Sequence, residues 1–310
     1  MDADISVDLC GIAMRNPTIL ASGVLGVSCD LVSRVAAGGA GAATVKSITL
    51  EPRGGHNNPT VIAYEAGMLN AVGYSNPGVD AAVEEFADVG RLPIPVLASV
   101  VGRGPDEFAE VAERLMACGF AGVEVPLSCP HTPGYGTLAG HGTPEATEAI
   151  TRAVRQATDR PILVKLSPNV PGIGELALSA VEGGADGISA VNTLGPGMMI
   201  NVEAREPVLD FRMGGVSGPA LRPVAVRCVY DIATALRREG CERPIIGTGG
   251  VSSGRHALEM VMAGATAVGV GTAVYERGVD VFGGITSELG ALCDRLGIAS
   301  LAEVRGAALE

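Results

Sequence analysis

The chain has 310 residues, 47% of them hydrophobic and 3% aromatic, with 44 glycines and a net charge of −12 from 34 acidic against 22 basic side chains. This acidic balance disfavours nonspecific binding to nucleic acid or to anionic membrane surfaces, so an anionic ligand must be held by local donors. Apolar runs break at glycine or charge before reaching the roughly 20 residues of a membrane span, and the opening MDADISVDLCGIAMRNP lacks the basic-then-apolar pattern of a secretory leader.

Seven cysteines, at 10, 29, 118, 129, 228, 241 and 293, form no C-x-x-C pair, which argues against a zinc site or an iron–sulfur cluster in this chain. An odd, scattered set fits a reducing compartment, so a soluble cytoplasmic protein is expected.

Eight short β-branched or apolar runs follow one another at 17–22, 43–48, 94–101, 122–128, 161–167, 187–193, 244–250 and 267–273. Most open after Gly or Pro. Helical patterns lie between them, such as PDEFAEVAERLMACG from Pro105 and PEATEAITRAVRQATD from Pro144, each with proline near its start and acidic residues in the first turn. Eight strands with helical crossovers predict a (β/α)8 TIM barrel; an open doubly wound sheet, the alternative, more often uses fewer strands. Nothing divides the chain, so residues 1–310 read as one barrel domain. The connections 49–77, 129–143 and 194–218 are too long for plain loops and follow strand C-termini, the face where barrels place their chemistry. A covered pocket is expected there.

Gly247-Thr248-Gly249-Gly250 ends the seventh run and Gly269-Val270-Gly271-Thr272 ends the eighth, where barrels commonly bind a phosphate. Glycines needed only for tight turns are the alternative for either cluster alone. Lys46 in TVKSI and Lys165 in ILVKLS sit in apolar runs, and a buried ammonium needs an anion, a carbonyl or an electron-rich ring beside it. Structural ion pairing would satisfy the same need. Asn192 and Thr193 in VNT, with Asn70 in GMLNAVG, offer neutral donors and acceptors suited to an amide-containing ring, although Asn70 could equally be a solvated loop amide. Cys129 follows the fourth run, where a thiol of lowered pKa can accept a proton; most of seven cysteines should be packing residues.

Read together, NPTILASGVLG, VKSITLEPRGG, AGMLNAVGYSNPG, SCPH, ILVKLSPNV, VNTLGPG, GGVSGPALRPVA, PIIGTGGV and AVGVGTA span nearly the whole chain. The set resembles dihydroorotate dehydrogenases of class 1, especially the class 1B catalytic subunit, and is similar to the FMN barrel of dihydropyrimidine dehydrogenase. The resemblance implies FMN, with its phosphate around Gly218, Gly249, Gly250, Gly271 and Thr272 and its ring approached by Ala21, Ser22, Gly23, Lys46 and Lys165. Ser47, Ser99 and Val191 would complete the cofactor contacts, and Lys46, Asn70, Gly73, His131, Asn192 and Thr193 would meet the substrate. It further implies that Cys129 removes a proton from one carbon while its neighbour gives hydride to flavin N5, turning a CH–CH bond of a dihydropyrimidine into C=C. Dihydroorotate is the default substrate, which places the chain in pyrimidine metabolism. Lys165 is the candidate for the lysine at the flavin N1–C2=O edge, and with Lys46 it joins Cys129 in the catalytic set. A homodimer and an iron–sulfur/FAD electron-transfer subunit are the implied partners.

The resemblance breaks at one place. Where the family reads E-L-N-I/L-S-C-P-N, this chain has Glu124-Val125-Pro126-Leu127-Ser128-Cys129-Pro130-His131, so two asparagines that touch the pyrimidine are replaced. Ser99 likewise stands for an asparagine near the flavin, and Tyr74 for a smaller apolar residue. These changes favour, as an alternative, an FMN-dependent dehydrogenase or ene-reductase for a non-orotate cyclic amide or α,β-unsaturated carbonyl. Two other readings are a noncatalytic flavin- or phosphate-binding scaffold and an aldolase or isomerase barrel using Lys46 or Lys165 as a Schiff base.

Overall fold

The computed structural model describes residues 3–127 and 142–309. Its centre is a closed barrel of eight parallel strands: Thr18–Leu20, Ala42–Thr44, Val96–Ser99, Gly122–Pro126, Ile162–Leu166, Gly187–Ala190, Ile245–Thr248 and Ala267–Val270. Each pairs with the next in chain order, and the eighth closes on the first, Val268 opposite Thr18 and Val270 opposite Leu20. These are the eight runs read from the sequence, and the (β/α)8 expectation holds. Every ladder ends earlier than its run, because residues such as Val45, Val100 and Val191 remain buried after the backbone has left the sheet. Lys46 is affected by this. It stands two residues beyond the second strand and is half-buried, whereas Lys165 lies within the fifth strand and is buried.

The crossover helices follow from local chemistry. Pro105–Met116 has proline in its first turn with Asp106 and Glu107, and its apolar stripe of Phe108, Val111, Ala112 and Leu115 is buried against the barrel. Pro144–Ala157 starts the same way, with the Thr143 side chain accepting from the Ala146 N–H. Ser28 and Ser253 cap Cys29–Ala37 and Gly254–Met262 through the N–H groups of Leu31 and His256. Among the described residues no helix is long and apolar enough to cross a membrane.

The two barrel mouths are closed differently. At the N-terminal mouth a short antiparallel hairpin, Val7–Leu9 with Ile12–Met14, packs Leu9, Ile12 and Met14 onto Ile19, Leu97, Leu163 and Ile246 inside the barrel. The same end is tied by Asp4, whose N–H donates to Ala299 O at 2.8 Å and whose carbonyl accepts from Leu301 N.

Over the C-terminal mouth, the segments 49–77 and 194–218 are more than loops. They contribute Val61–Tyr64, Gly67–Asn70, Leu194–Gly197 and Gly214–Ser217 to one four-stranded antiparallel sheet, with Gly215 opposite Asn70. Leu69, Ala71 and Leu209 form its own small core, and His56 stacks on Phe211 with ring centroids 4.0 Å apart. The third expected loop, 129–143, lies outside the described residues up to residue 141.

Candidate active site

Beneath that sheet the strand C-termini enclose a cavity of about 820 Å³. Its two ends differ in material.

One end is bounded by Gly218, Gly249, Gly250, Gly271 and Thr272. Gly250 has φ +68, and a Cβ there would stand 2.7 Å from both Arg222 Cβ and Gly218 O, so only glycine fits. Gly271 is different. A Cβ on it would meet protein no closer than 3.6 Å, at Ala21, so packing alone does not demand glycine, and a methyl would project toward the cavity that Gly271 lines. This bare wall leaves space for an occupant. Thr272 Oγ1 donates to Ser217 Oγ at 2.9 Å, joining this end to the roof sheet. The adjoining Ser252 is held from two sides: its N–H approaches His256 Nδ1 at 3.4 Å, and Arg277 donates to its carbonyl at 2.6 Å. Burial, helped by the Arg222 charge, holds the His256 pKa below the usual imidazole range, so Nδ1 stays available as an acceptor.

The other end is built from charge. Lys165 Nζ lies 3.0 Å from Ser22 Oγ and 3.4 Å from Glu124 Oε1, and Ser22 Oγ in turn donates to Glu124 Oε1 at 3.0 Å. The lysine and glutamate side chains are 8% and 4% exposed, so the pair is a buried ion pair with a hydroxyl bridging it. Ala21, Gly23, Lys46 and Ser47 border the cavity beside them. Ser99 does not. It is fully buried behind Ser47, the two hydroxyls 2.8 Å apart.

Asn70, Gly73, Val191, Asn192 and Thr193 also line the cavity, under the roof sheet. Asn70 Nδ2 donates to Gly215 O at 3.2 Å, and Asn192 Oδ1 accepts the Thr193 N–H at 2.8 Å. Pro126, in register with Lys165 on the neighbouring strand, presents its ring where an amide would have offered donors and an acceptor. Cys129 and His131 lie outside the described residues. Among the other cysteines, burial pushes Cys10 up to about 12 and Cys228 to about 11, and raises Cys29, Cys118 and Cys293 as well; these remain protonated thiols at neutral pH.

Glu124 is the functional candidate that sequence reasoning passed over, as a letter in a shared segment. Its signal was available: a carboxylate inside the apolar strand GVEVP is as costly to bury as the ammonium in ILVKL on the adjacent strand. The Ser252–His256 contact gave no such signal, because it depends on a loop folding back onto the following helix.

A closed parallel barrel whose roofed cavity joins a buried ammonium to a bare glycine wall has the architecture of a barrel enzyme. The chain matches the dihydroorotate dehydrogenase family over residues 4–293. It is 42% identical over 306 residues to the catalytic subunit of dihydroorotate dehydrogenase B (NAD(+)) from Pyrococcus abyssi, covering 99% of both chains. The subunit of the same name from Methanosarcina acetivorans is 46% identical over 302 residues, covering 96% of this chain and 94% of the relative. That from Methanocaldococcus jannaschii is 40% identical over 289 residues, 92% of each. The chain belongs to the dihydroorotate dehydrogenase family.

Proposed function

We propose that the chain is an FMN-dependent oxidoreductase acting on a CH–CH bond, with dihydroorotate to orotate as its reaction. The observation that carries this reading is the joining, in one cavity, of the bare wall at Gly271 to the buried Lys165 ammonium. The residues fit the cofactor: Gly218, Gly249, Gly250, Gly271 and Thr272 would take the phosphate through backbone N–H groups, and Ala21, Ser22, Gly23, Ser47, Val191 and Lys165 would surround the ring. When bound, FMN supplies a two-electron acceptor. The protein does the rest. Lys165 offers positive charge at the ring edge, Lys46, Asn70, Gly73, Asn192 and Thr193 orient the substrate, and Cys129 takes the proton from the carbon next to the one that loses hydride. The roof sheet lies over the mouth, where it would limit the access of water to the reacting atoms.

The relatives are named catalytic subunits, which supports a second, electron-transferring subunit carrying an iron–sulfur cluster and FAD, and the resemblance supports a cytoplasmic homodimer.

Pro126 favours a second reading, in which the same chemistry serves a non-orotate cyclic amide or α,β-unsaturated carbonyl. One experiment separates the two. The FMN-loaded protein is mixed anaerobically with dihydroorotate, then with dihydrouracil, while the flavin absorbance is followed. Bleaching by dihydroorotate is expected; a flavin that dithionite reduces but dihydroorotate does not would transfer the reading to the second substrate class.

A further inference from the structure

Lys165 and Glu124 are buried, and each would be costly alone. The proton inventory around them is specific. The Ser22 hydroxyl has one proton, given to Glu124 Oε1, and accepts one from Lys165 Nζ. The ammonium has three N–H groups; one goes to Ser22 and one faces Glu124, so one is left for whatever fills the cavity that Lys165 lines. Ser22 spends its proton on the carboxylate and therefore presents an acceptor to the lysine. Glu124 thus fixes both where the ammonium stands and how much of its charge the cavity feels.

We propose that Glu124 is a positioning residue that, through Ser22, holds Lys165 against the ring and attenuates its positive field, so that the carboxylate sets how readily bound flavin accepts negative charge. This rests on the FMN reading above. A counter-charge 3.4 Å from the ammonium opposes its attraction for an anionic ring, and removing it leaves the full positive charge facing the cavity.

The test uses FMN-loaded full-length protein, with the flavin midpoint potential measured by spectroelectrochemistry and the dissociation constant for sulfite, whose adduct places negative charge on the ring, measured by absorbance. Glu124→Gln is expected to tighten sulfite binding about tenfold and to raise the potential by the equivalent of a tenfold change in reduction, about 30 mV for a two-electron couple. Lys165→Met is expected to move both in the opposite direction. Adding Glu124→Gln to Lys165→Met should then change neither relative to Lys165→Met alone, because Glu124 acts through the ammonium that this variant lacks. Should Glu124→Gln fail to fold, Glu124→Asp withdraws the charge without deleting it and gives a smaller shift of the same sign. A wild-type potential and sulfite affinity in either folded, FMN-loaded variant overturns the inference and leaves the flavin reading standing. Wild-type protein that takes up no FMN overturns the flavin reading itself.

Discussion

At one end of the cavity the walls are largely backbone, with Gly218, Gly249 and Gly250 at positive φ; at the other they are an ion pair and hydroxyls, held by packing. On the proposed reading, the glycine end selects by shape and by N–H direction, which a ligand either fits or does not. The lysine end, on the same reading, selects by field, which can be tuned without moving the chain. In a barrel whose strands all point one way, the two kinds of wall can be altered independently, because each comes from different strands: the seventh and eighth for one, the first, fourth and fifth for the other.

The largest expected effect belongs to the proposed proton acceptor. Cys129→Ala should retain FMN yet slow flavin reduction by dihydroorotate roughly 10²- to 10⁴-fold, the span for losing a general base; stopped-flow absorbance reads it, and an unchanged rate would remove Cys129 from the chemistry. At the glycine end, Gly250→Ala should lose FMN and destabilise the protein by about 1–3 kcal/mol through its φ of +68 and the contact with Gly218 O, read as flavin content and thermal midpoint. Full FMN occupancy in that variant would break the contrast between the two ends.

Pro126→Asn sharpens it instead. Restoring one buried amide should tighten orotate about tenfold, the equivalent of one net hydrogen bond of about 1 to 1.5 kcal/mol, measured by titration of the flavin spectrum. The smallest effect is one of pH. Because His256 is held below the ordinary imidazole range, the unfolded chain takes up a proton first, so this contribution to stability is present above pH 6.5 and is lost as pH falls through the depressed folded value. Thermal midpoints from pH 7.5 to 5 should fall less steeply in His256→Asn, whose amide oxygen can still accept from Ser252.

Much of the barrel was legible in the sequence because parallel strands are covered on both faces, which writes them as continuous apolar runs such as PILVKL ending in glycine or a polar turn. The roof sheet was not. Val61–Tyr64 is partly exposed and Leu194–Gly197 reads LGPG, so neither carries a strand's apolar signature; their pairing is supplied by neighbours far away in sequence. The N-terminal plug escaped for another reason: its strands are three residues each, too short for a period to show. The glycine end was visible because glycine is chemically singular. At the charged end, both members of the ion pair stood out in the sequence as misplaced charges, but only the lysine was read that way, and Pro126 marks the site by what it lacks.

The plug has a consequence for the order in which the molecule can be made. Residues 7–14 leave the ribosome long before Ile246 and Ala267, which form part of the surface they seat on. At roughly 5–20 residues per second, the hairpin waits many seconds for its socket. The seam between the first and eighth strands and the tie from Asp4 to Ala299 close in the same late interval. A chain halted before Ala267 therefore has neither plug nor seam, and completion of the barrel is a single late event that fastens its beginning to its end.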